Sequence, residues 1–185
     1  MSEEELFEAF PPSVAEALKA GREPPAEPHE EVSIFFSDIV GYTNHCSRLA
    51  THEVMDMLNR LYRCVRFDAL IKELDLFKVD VIGDAYLAVG NIRRKHTDHA
   101  RRLLQFAFRA IEVGGGFGPV CVTRPELGTI SIRVGLHVGP VMACVVGTMN
   151  RRYSLFGNTV NVASRMESTG EPNKVQCTTA YKQLV

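Results

Sequence analysis

Two rhythms of apolar and polar positions alternate along this chain. Val32 to Ser37 (V-S-I-F-F-S) starts as an alternation and becomes a continuous apolar run, the pattern of a buried strand. It ends on Asp38, and Gly41 and Thr43 follow in a tight turn before a helix. Val54, Met57, Leu58, Leu61 and Val65 then recur at helical spacing, predicting a long helix that Thr51 caps and that reaches Glu73. D-L-F-K-V-D-V-I and A-Y-L-A-V flank Gly83-Asp84, which predicts a hairpin with a two-residue turn. Ala100, Leu103, Leu104, Ala107, Ala110 and Ile111 mark the inner face of the next helix, capped by Thr97 and ended by Gly114, Gly115 and Gly116. T-I-S-I-R-V-G-L-H-V alternates as a fourth strand, and Gly139-Pro140 is expected to break the chain before the apolar run Val141 to Val146. A short strand ending at Gly157 and a helix capped by Asn158 or Thr159 follow, with Val162, Ala163 and Met166 packed inward.

Strand, helix, hairpin, helix, strand is the order of a split βαβ unit. The expected class is therefore α+β: a ferredoxin-like βαββαβ core, its antiparallel-rich sheet flanked by helices, plus a C-terminal extension. Right-handed crossover sets the first two strands parallel with a gap, and the third fills the gap antiparallel. That topology brings the end of the first strand beside the start of the third. Asp38 and Asp84, distant in sequence, thus converge at one sheet edge. Ahead of this core, Leu6, Phe7, Phe10, Val14 and Leu18 form a rough apolar stripe interrupted by Pro11 and Pro12, which predicts two short helices. Residues 21–28 read as a linker, so 1–29 is expected to be a helical and linker segment outside the main core, and 30–185 the functional domain.

Composition narrows the function. The 185 residues suffice for one domain with a proper core, and 45% hydrophobic with 23% charged content is ordinary for a globular protein. A formal charge of −1 without a basic stripe argues against long nucleic acid as partner. No apolar run has transmembrane length, and the acidic start is unlike a signal peptide. Cys46, Cys64, Cys121, Cys144 and Cys177 are scattered, odd in number and without C-x-x-C spacing, so zinc and a disulfide framework are disfavoured and a reducing, cytoplasmic compartment is expected.

Converging carboxylates serve either as an acid–base pair or as holders of divalent metal. Nothing beside Asp38 or Asp84 suggests a dyad, whereas the Gly41/Thr43 turn suits phosphate; Mg²⁺ takes one or two protein carboxylates and fills its octahedron with water and substrate phosphate. No G-x-x-x-x-G-K-[ST] loop is present, which excludes a P-loop enzyme. Further on, Asn161 and Arg165 share one helix face, a pairing able to order a sugar and neutralise charge on a phosphoryl group, or simply a solvated face. Arg133 inside an apolar strand needs an anionic partner if buried. His137 in the same strand reads as a hydrogen-bonded structural histidine.

Taken in order, F-S-D-I-V-G-Y-T, K-V-D-V-I-G-D-A-Y, R-V-G-L-H-V-G-P-V and Y-S-L-F-G-N-T-V-N-V-A-S-R-M-E-S resemble the catalytic domain of class III nucleotidyl cyclases, most like eukaryotic guanylate cyclases. L-F-E-A-F-P-P-S-V-A-E-A-L-K-A-G resembles the segment that precedes this domain and links it to sensor or membrane parts. The resemblance implies that Asp38 and Asp84, with the Ile39 carbonyl, bind two Mg²⁺ or Mn²⁺ ions. It implies that Gly41, Thr43 and Arg133 hold the triphosphate, that Asn161 orients the ribose and that Arg165 stabilises the transition state. The activity implied is formation of cyclic GMP and pyrophosphate from GTP, in a head-to-tail homodimer whose sites combine metal aspartates of one protomer with the Asn/Arg pair of the other.

In the family two positions read the purine, and they match Asp80 and Ser154 here. Adenylate cyclases usually carry lysine and aspartate there, guanylate cyclases glutamate and cysteine. Aspartate with serine favours GTP, though the aspartate is a methylene shorter. For Asp80 the plain alternative is a strand salt bridge with Lys78. Cys144 stands where the family commonly has glycine, and no match is present to a later lysine that grips the triphosphate, so the chain is expected to stop short of the family's usual end. The competing readings are an adenylate or dual-specificity cyclase and a catalytically silent nucleotide-binding regulator. Diguanylate cyclases rank last, because no G-G-[DE]-E-F-like hairpin occurs.

Overall fold

A computed structural model describes residues 2–62, 67–114 and 118–185. Strands β1 (Glu27–Ile39), β2 (Phe77–Ile82), β3 (Ala85–Gly90), β4 (Ile132–Val146) and β5 (Arg152–Phe156) lie in the order β2-β3-β1-β4-β5. A short β6 (Val175–Cys177) runs parallel to β4 beside Val134 to Leu136. β3 fills the gap between β1 and β2 and is antiparallel to both, so the ferredoxin-like order holds. Ser37 pairs with Tyr86, which sets Asp38 beside the hairpin turn that carries Asp84.

The nearly continuous apolar character of β1 has a direct cause: both its faces are buried. Phe35 and Ile39 enter a larger core under α4 (Thr51–Tyr62), α5 (Phe67–Glu73), α6 (His99–Gly114) and α8 (Thr179–Lys182). Val32 and Ile34 face a second core, covered by α1 (Glu3–Ala9), α2 (Pro12–Lys19) and α7 (Asn158–Ser168). The α6 stripe behaves as its spacing predicts, with Leu103, Phe106 and Ala107 fully buried. Burying a Leu or Phe side chain of this kind contributes roughly 1.5–3 kcal/mol.

Several expectations change. The N-terminal helices are two, as the proline pair requires, and none of their residues joins the larger core. Phe10, Val14 and Ala15 nevertheless anchor the second core. β1 begins at Glu27, inside the expected linker, because its first residues pair with Val141 to Ala143 of β4. β4 runs unbroken through Gly139-Pro140: the register shift between His29 and Val32 lies opposite, so the missing N–H of Pro140 falls at a bulge. The helix expected to reach Glu73 is described as α4 and α5; Cys64 and Val65 between them, and Gly115 and Gly116, lie outside the described residues. The residue leading into α6 is Asp98, whose carbonyl accepts from Arg102 N–H, rather than Thr97. Gly157, at φ 131°, takes the cap of α7 in place of Asn158 or Thr159.

The sheet also curls. β2 and β5 are its opposite edges, yet Phe77 and Tyr153 meet edge to face at 5.5 Å between ring centroids. Arg152 of β5 reaches Asp80 of β2 at 3.5 Å.

Candidate active site

At the end of β1 the register places Arg133 directly across from Asp38, which puts both side chains on one face. Arg133 donates from Nε to Asp38 Oδ1 at 3.3 Å and from Nη2 to Oδ2 at 3.0 Å. Its Nη1 donates to the Ser168 carbonyl at 3.3 Å, and Glu167 Oε1 lies 3.4 Å from Nε. α7 reaches this close because Gly135 has no side chain: a Cβ there would sit 2.1 Å from the Glu167 nitrogen. Gly139 serves the same end about two turns earlier on α7, under Thr159, whose hydroxyl donates to the Pro140 carbonyl.

Asp84 completes the cluster from the hairpin. Its Oδ2 accepts the Ile39 N–H at 3.1 Å, and Tyr62 donates its hydroxyl to the Asp84 carbonyl. Burial holds Asp84 above the usual carboxylate range, the Asp38 charge adds to this, and the Ile39 N–H opposes it. Glu167 is pushed up to about 8, first by burial and then by the neighbouring Asp38 carboxylate. Asp38 and Glu167 thus share one guanidinium, and Asp84 lies close enough to feel its charge. Such an excess of negative charge at a partly open strand end suits a divalent cation.

Among the described residues no group of three or more His, Cys, Asp or Glu side chains is arranged to hold a metal by itself. A cation here would rest on Asp38, Asp84 and backbone or ligand oxygens, the pattern typical of Mg²⁺. Gly41, at φ 70° and outside the range favourable to other residues, turns the chain into α3 (Tyr42–Arg48). Gly41 and Thr43 are exposed beside the acidic cluster.

The remaining predicted residues lie apart from this cluster. Asn161 and Arg165 are exposed on α7 and make no side-chain hydrogen bond or ion pair among the described residues; the row turned inward is Thr159, Ala163 and Glu167, while Val162 and Met166 are half-buried. Ser154 is directly paired with Cys144 on β4. Asp80 accepts the Val81 N–H on Oδ1 and faces Arg152 with Oδ2. The expected alternative partner, Lys78, goes elsewhere: it bonds Asp68 at 2.9 and 3.1 Å. A bulge between Lys78 and Asp80 pairs them with the adjacent residues Ala88 and Leu87, and hence turns them to opposite faces. His137 is a structural histidine, bonded to Thr178 at 2.8 Å and held below the usual histidine range by burial.

Sequence reasoning missed Glu167, Tyr62 and Arg152. The one available signal was Arg133 itself, a charge inside a strand that demanded acidic partners.

Four motifs in order, now assembled as a metal-suited acidic end and a separate polar helix face, decide the family. The profile described as "Adenylate and Guanylate cyclase catalytic domain" matches residues 25–185. The chain belongs to this cyclase family. It is 44% identical over 171 residues to retinal guanylyl cyclase 1 of Rattus norvegicus, covering 92% of this chain and 15% of that protein. The chain spans between 15% and 26% of the length of the first curated relatives it matches. Among solved structures it is similar to the guanylate cyclase domain of RhGC from Catenaria anguillulae in complex with GTP, with a TM-score of 0.78, 39% identity, and coverage of 85% of this chain and 83% of that one. It is also similar to a non-canonical dimeric guanylyl cyclase domain of the RhoGC fusion protein from Blastocladiella emersonii, with a TM-score of 0.77, 38% identity, and coverage of 85% and 84%.

Proposed function

We propose that this cyclase domain converts GTP to 3′,5′-cyclic GMP and pyrophosphate. The observation that carries the reading is the pairing of an acid-rich, partly open metal end with an exposed Asn161/Arg165 face that has no side-chain partner among the described residues. The family is divalent-metal dependent, and Asp38, Asp84 and the Ile39 carbonyl would hold two Mg²⁺ or Mn²⁺ ions. When bound, such ions stabilise the attacking and departing oxygens of an in-line displacement. The ribose 3′-hydroxyl gives up its proton to solvent and its oxygen forms a bond to the α-phosphorus as the bond to pyrophosphate breaks. Asn161 orients the ribose. Arg165 places its charge on the phosphoryl oxygens as negative charge builds there. The Gly41/Thr43 turn and Arg133 hold the triphosphate, and Arg133 also keeps Asp38 in place in the free chain.

Asp80 and Ser154 read the base. Among the described residues the Ser154 hydroxyl has no hydrogen-bond partner, and it is available to guanine O6. The carboxylate of Asp80 keeps lone-pair capacity beyond the Val81 N–H and accepts guanine N1–H and the 2-amino group. Adenine offers neither donor, and each unmet buried bond costs about 1–3 kcal/mol. Because the acidic end and the Asn161/Arg165 face are separate on one chain, the active unit is a homodimer with sites shared between protomers. A non-canonical dimeric guanylyl cyclase domain among the similar structures supports association of such domains, though not this arrangement of sites. No helix among the described residues is long and apolar enough to cross a membrane. We place the domain in the cytoplasm, where its substrate is found.

The test is product formation from GTP and from ATP, with Mn²⁺ or Mg²⁺, across a range of protein concentrations. Cyclic GMP with specific activity rising as protomers associate is the expected result. Cyclic AMP instead would overturn the base assignment and leave the metal end standing. No product, with nucleotide still bound, would favour a regulatory module. Mixing Asp38→Ala with Arg165→Ala chains, each inactive alone, should restore about a quarter of wild-type activity if sites are shared in a two-fold dimer.

A further inference from the structure

The hairpin turn that carries Asp84 is the least supported part of the acidic end. β2 is an edge strand, and beside the turn Ile82 and Gly83 are exposed, Ile82 by 67%. The Asp38 carboxylate repels that of Asp84, so a turn free to move would draw away from it. Among the described residues, two hydrogen bonds that involve a side chain tie the turn to other elements. The Ile39 N–H fixes the Asp84 carboxylate from β1, and the Tyr62 hydroxyl fixes the Asp84 carbonyl from α4.

The ring of Tyr62 leaves its hydroxyl little freedom. It is 3% exposed and packed among aromatic neighbours, with ring centroids 5.4 Å from Phe67 and 5.3 Å from Tyr86. Tyr86 stands two residues past Asp84 on β3, and its own hydroxyl donates to Asp68 of α5 at 3.0 Å. The strand is thus held from α5, while the turn is held from α4. A phenylalanine at 62 would make the same ring contacts; what the hydroxyl adds is its hold on the turn.

The molecule contains a matched contrast. Tyr181 of α8 is also fully buried and also donates its hydroxyl to a backbone carbonyl, that of Ala100. Ala100 belongs to α6 and the larger core, not to the acidic end.

We propose that Tyr62 is a positioning residue for the metal end: through the Asp84 carbonyl it holds the hairpin turn, and so keeps the Asp84 carboxylate near enough to Asp38 for a divalent cation to meet both. The inference rests on the reading of Asp38 and Asp84 as metal ligands. The hydroxyl acts before the cation arrives, keeping two like charges together until a positive one joins them.

The test is Mn²⁺ binding to the 185-residue chain, read from the electron paramagnetic resonance signal of free Mn²⁺, and again as the Mn²⁺ midpoint for cyclic-nucleotide formation. Tyr62→Phe should weaken Mn²⁺ binding about tenfold, as loss of a partner behind a metal ligand does, with turnover at saturating Mn²⁺ within about twofold of wild type. Tyr181→Phe, which removes an equivalent buried hydroxyl, should lower the melting temperature similarly and leave Mn²⁺ binding unchanged. Circular dichroism checks that both variants fold. Unchanged Mn²⁺ binding in Tyr62→Phe, or an equal loss in Tyr181→Phe, would overturn the proposal and leave Tyr62 a structural residue only. Asp84→Ala separates the two levels. Binding lost there but intact in Tyr62→Phe sinks this inference alone; binding intact in Asp84→Ala sinks the metal reading and this inference with it.

Discussion

Two corners of this molecule use the same ingredients to opposite effect. At the start of α4, Glu53 accepts the Ala50 N–H at 2.8 Å and the Cys121 thiol at 3.1 Å and pairs with Arg124. One carboxylate meets one guanidinium and several donors, and Glu53 is lowered to about 2, first by the Ala50 N–H and then by Cys121 and Arg124. At the end of β1, Asp38 and Glu167 both lie against Arg133 with Asp84 nearby, and Glu167 is raised to about 8. The first arrangement is finished: every group has its complement. The second lacks positive charge, and it lies where a ligand can supply it. Ion pairs as such therefore say little about function; the local balance of charge says more.

The largest test of that contrast is to remove an acid from each corner. Asp38→Ala or Asp84→Ala should lower cyclic-nucleotide formation by roughly 10³-fold or more, as loss of a metal ligand does, without lowering the melting temperature. Glu53→Ala should do the reverse, keeping turnover and lowering the melting temperature. If both substitutions only destabilise, the two corners are alike and the acidic end is structural.

A smaller effect separates the two arginines. Arg133→Ala leaves Asp38 and Asp84 without their nearby cation, so its loss of stability should be partly restored by Mn²⁺. Arg124→Ala should lower the melting temperature only slightly, as loss of a partly exposed ion pair does, with no response to metal. Equal behaviour of the two variants in melts with and without Mn²⁺ would remove the distinction.

The smallest effect is in pH. A carboxylate held low in the fold stabilises it above the unfolded value, and that contribution is lost as pH falls towards the folded value. For Glu53 the window runs from 4.5 down to about 2. Over that range Glu53→Gln should melt with a flatter pH dependence than the wild type. A carboxyl raised in the fold carries the opposite sign, so an unchanged or steeper acid slope in Glu53→Gln would show the assignment of this corner to be wrong.

Much of the fold could be read directly because it depends on local period. The alternation through Val134, Leu136 and Val138, the α6 stripe and the Gly83-Asp84 turn each specify an element and its inner face. Right-handed crossover then leaves little choice of strand order, which is why two distant aspartates could be placed together from residues alone. The sequence also carried the four motifs that define the family, since these lie in short continuous runs.

Period says which face a side chain takes on its own element, and not what it meets. Whether Glu167 touches Arg133 depends on how near α7 comes to β4, and Gly135 and Gly139 decide that. The bulge beside Asp80 sends Lys78 to Asp68, and the curl of the sheet gives Asp80 to Arg152 from the far edge. The same holds for Pro140, tolerated because a bulge happens to face it, and for Phe10, whose burial depends on a sheet face exposed until α1 and α2 cover it. Motifs and strand order came from local chemistry; partners and charge balance came only from tertiary packing, because they depend on distances between elements that no single stretch of chain encodes.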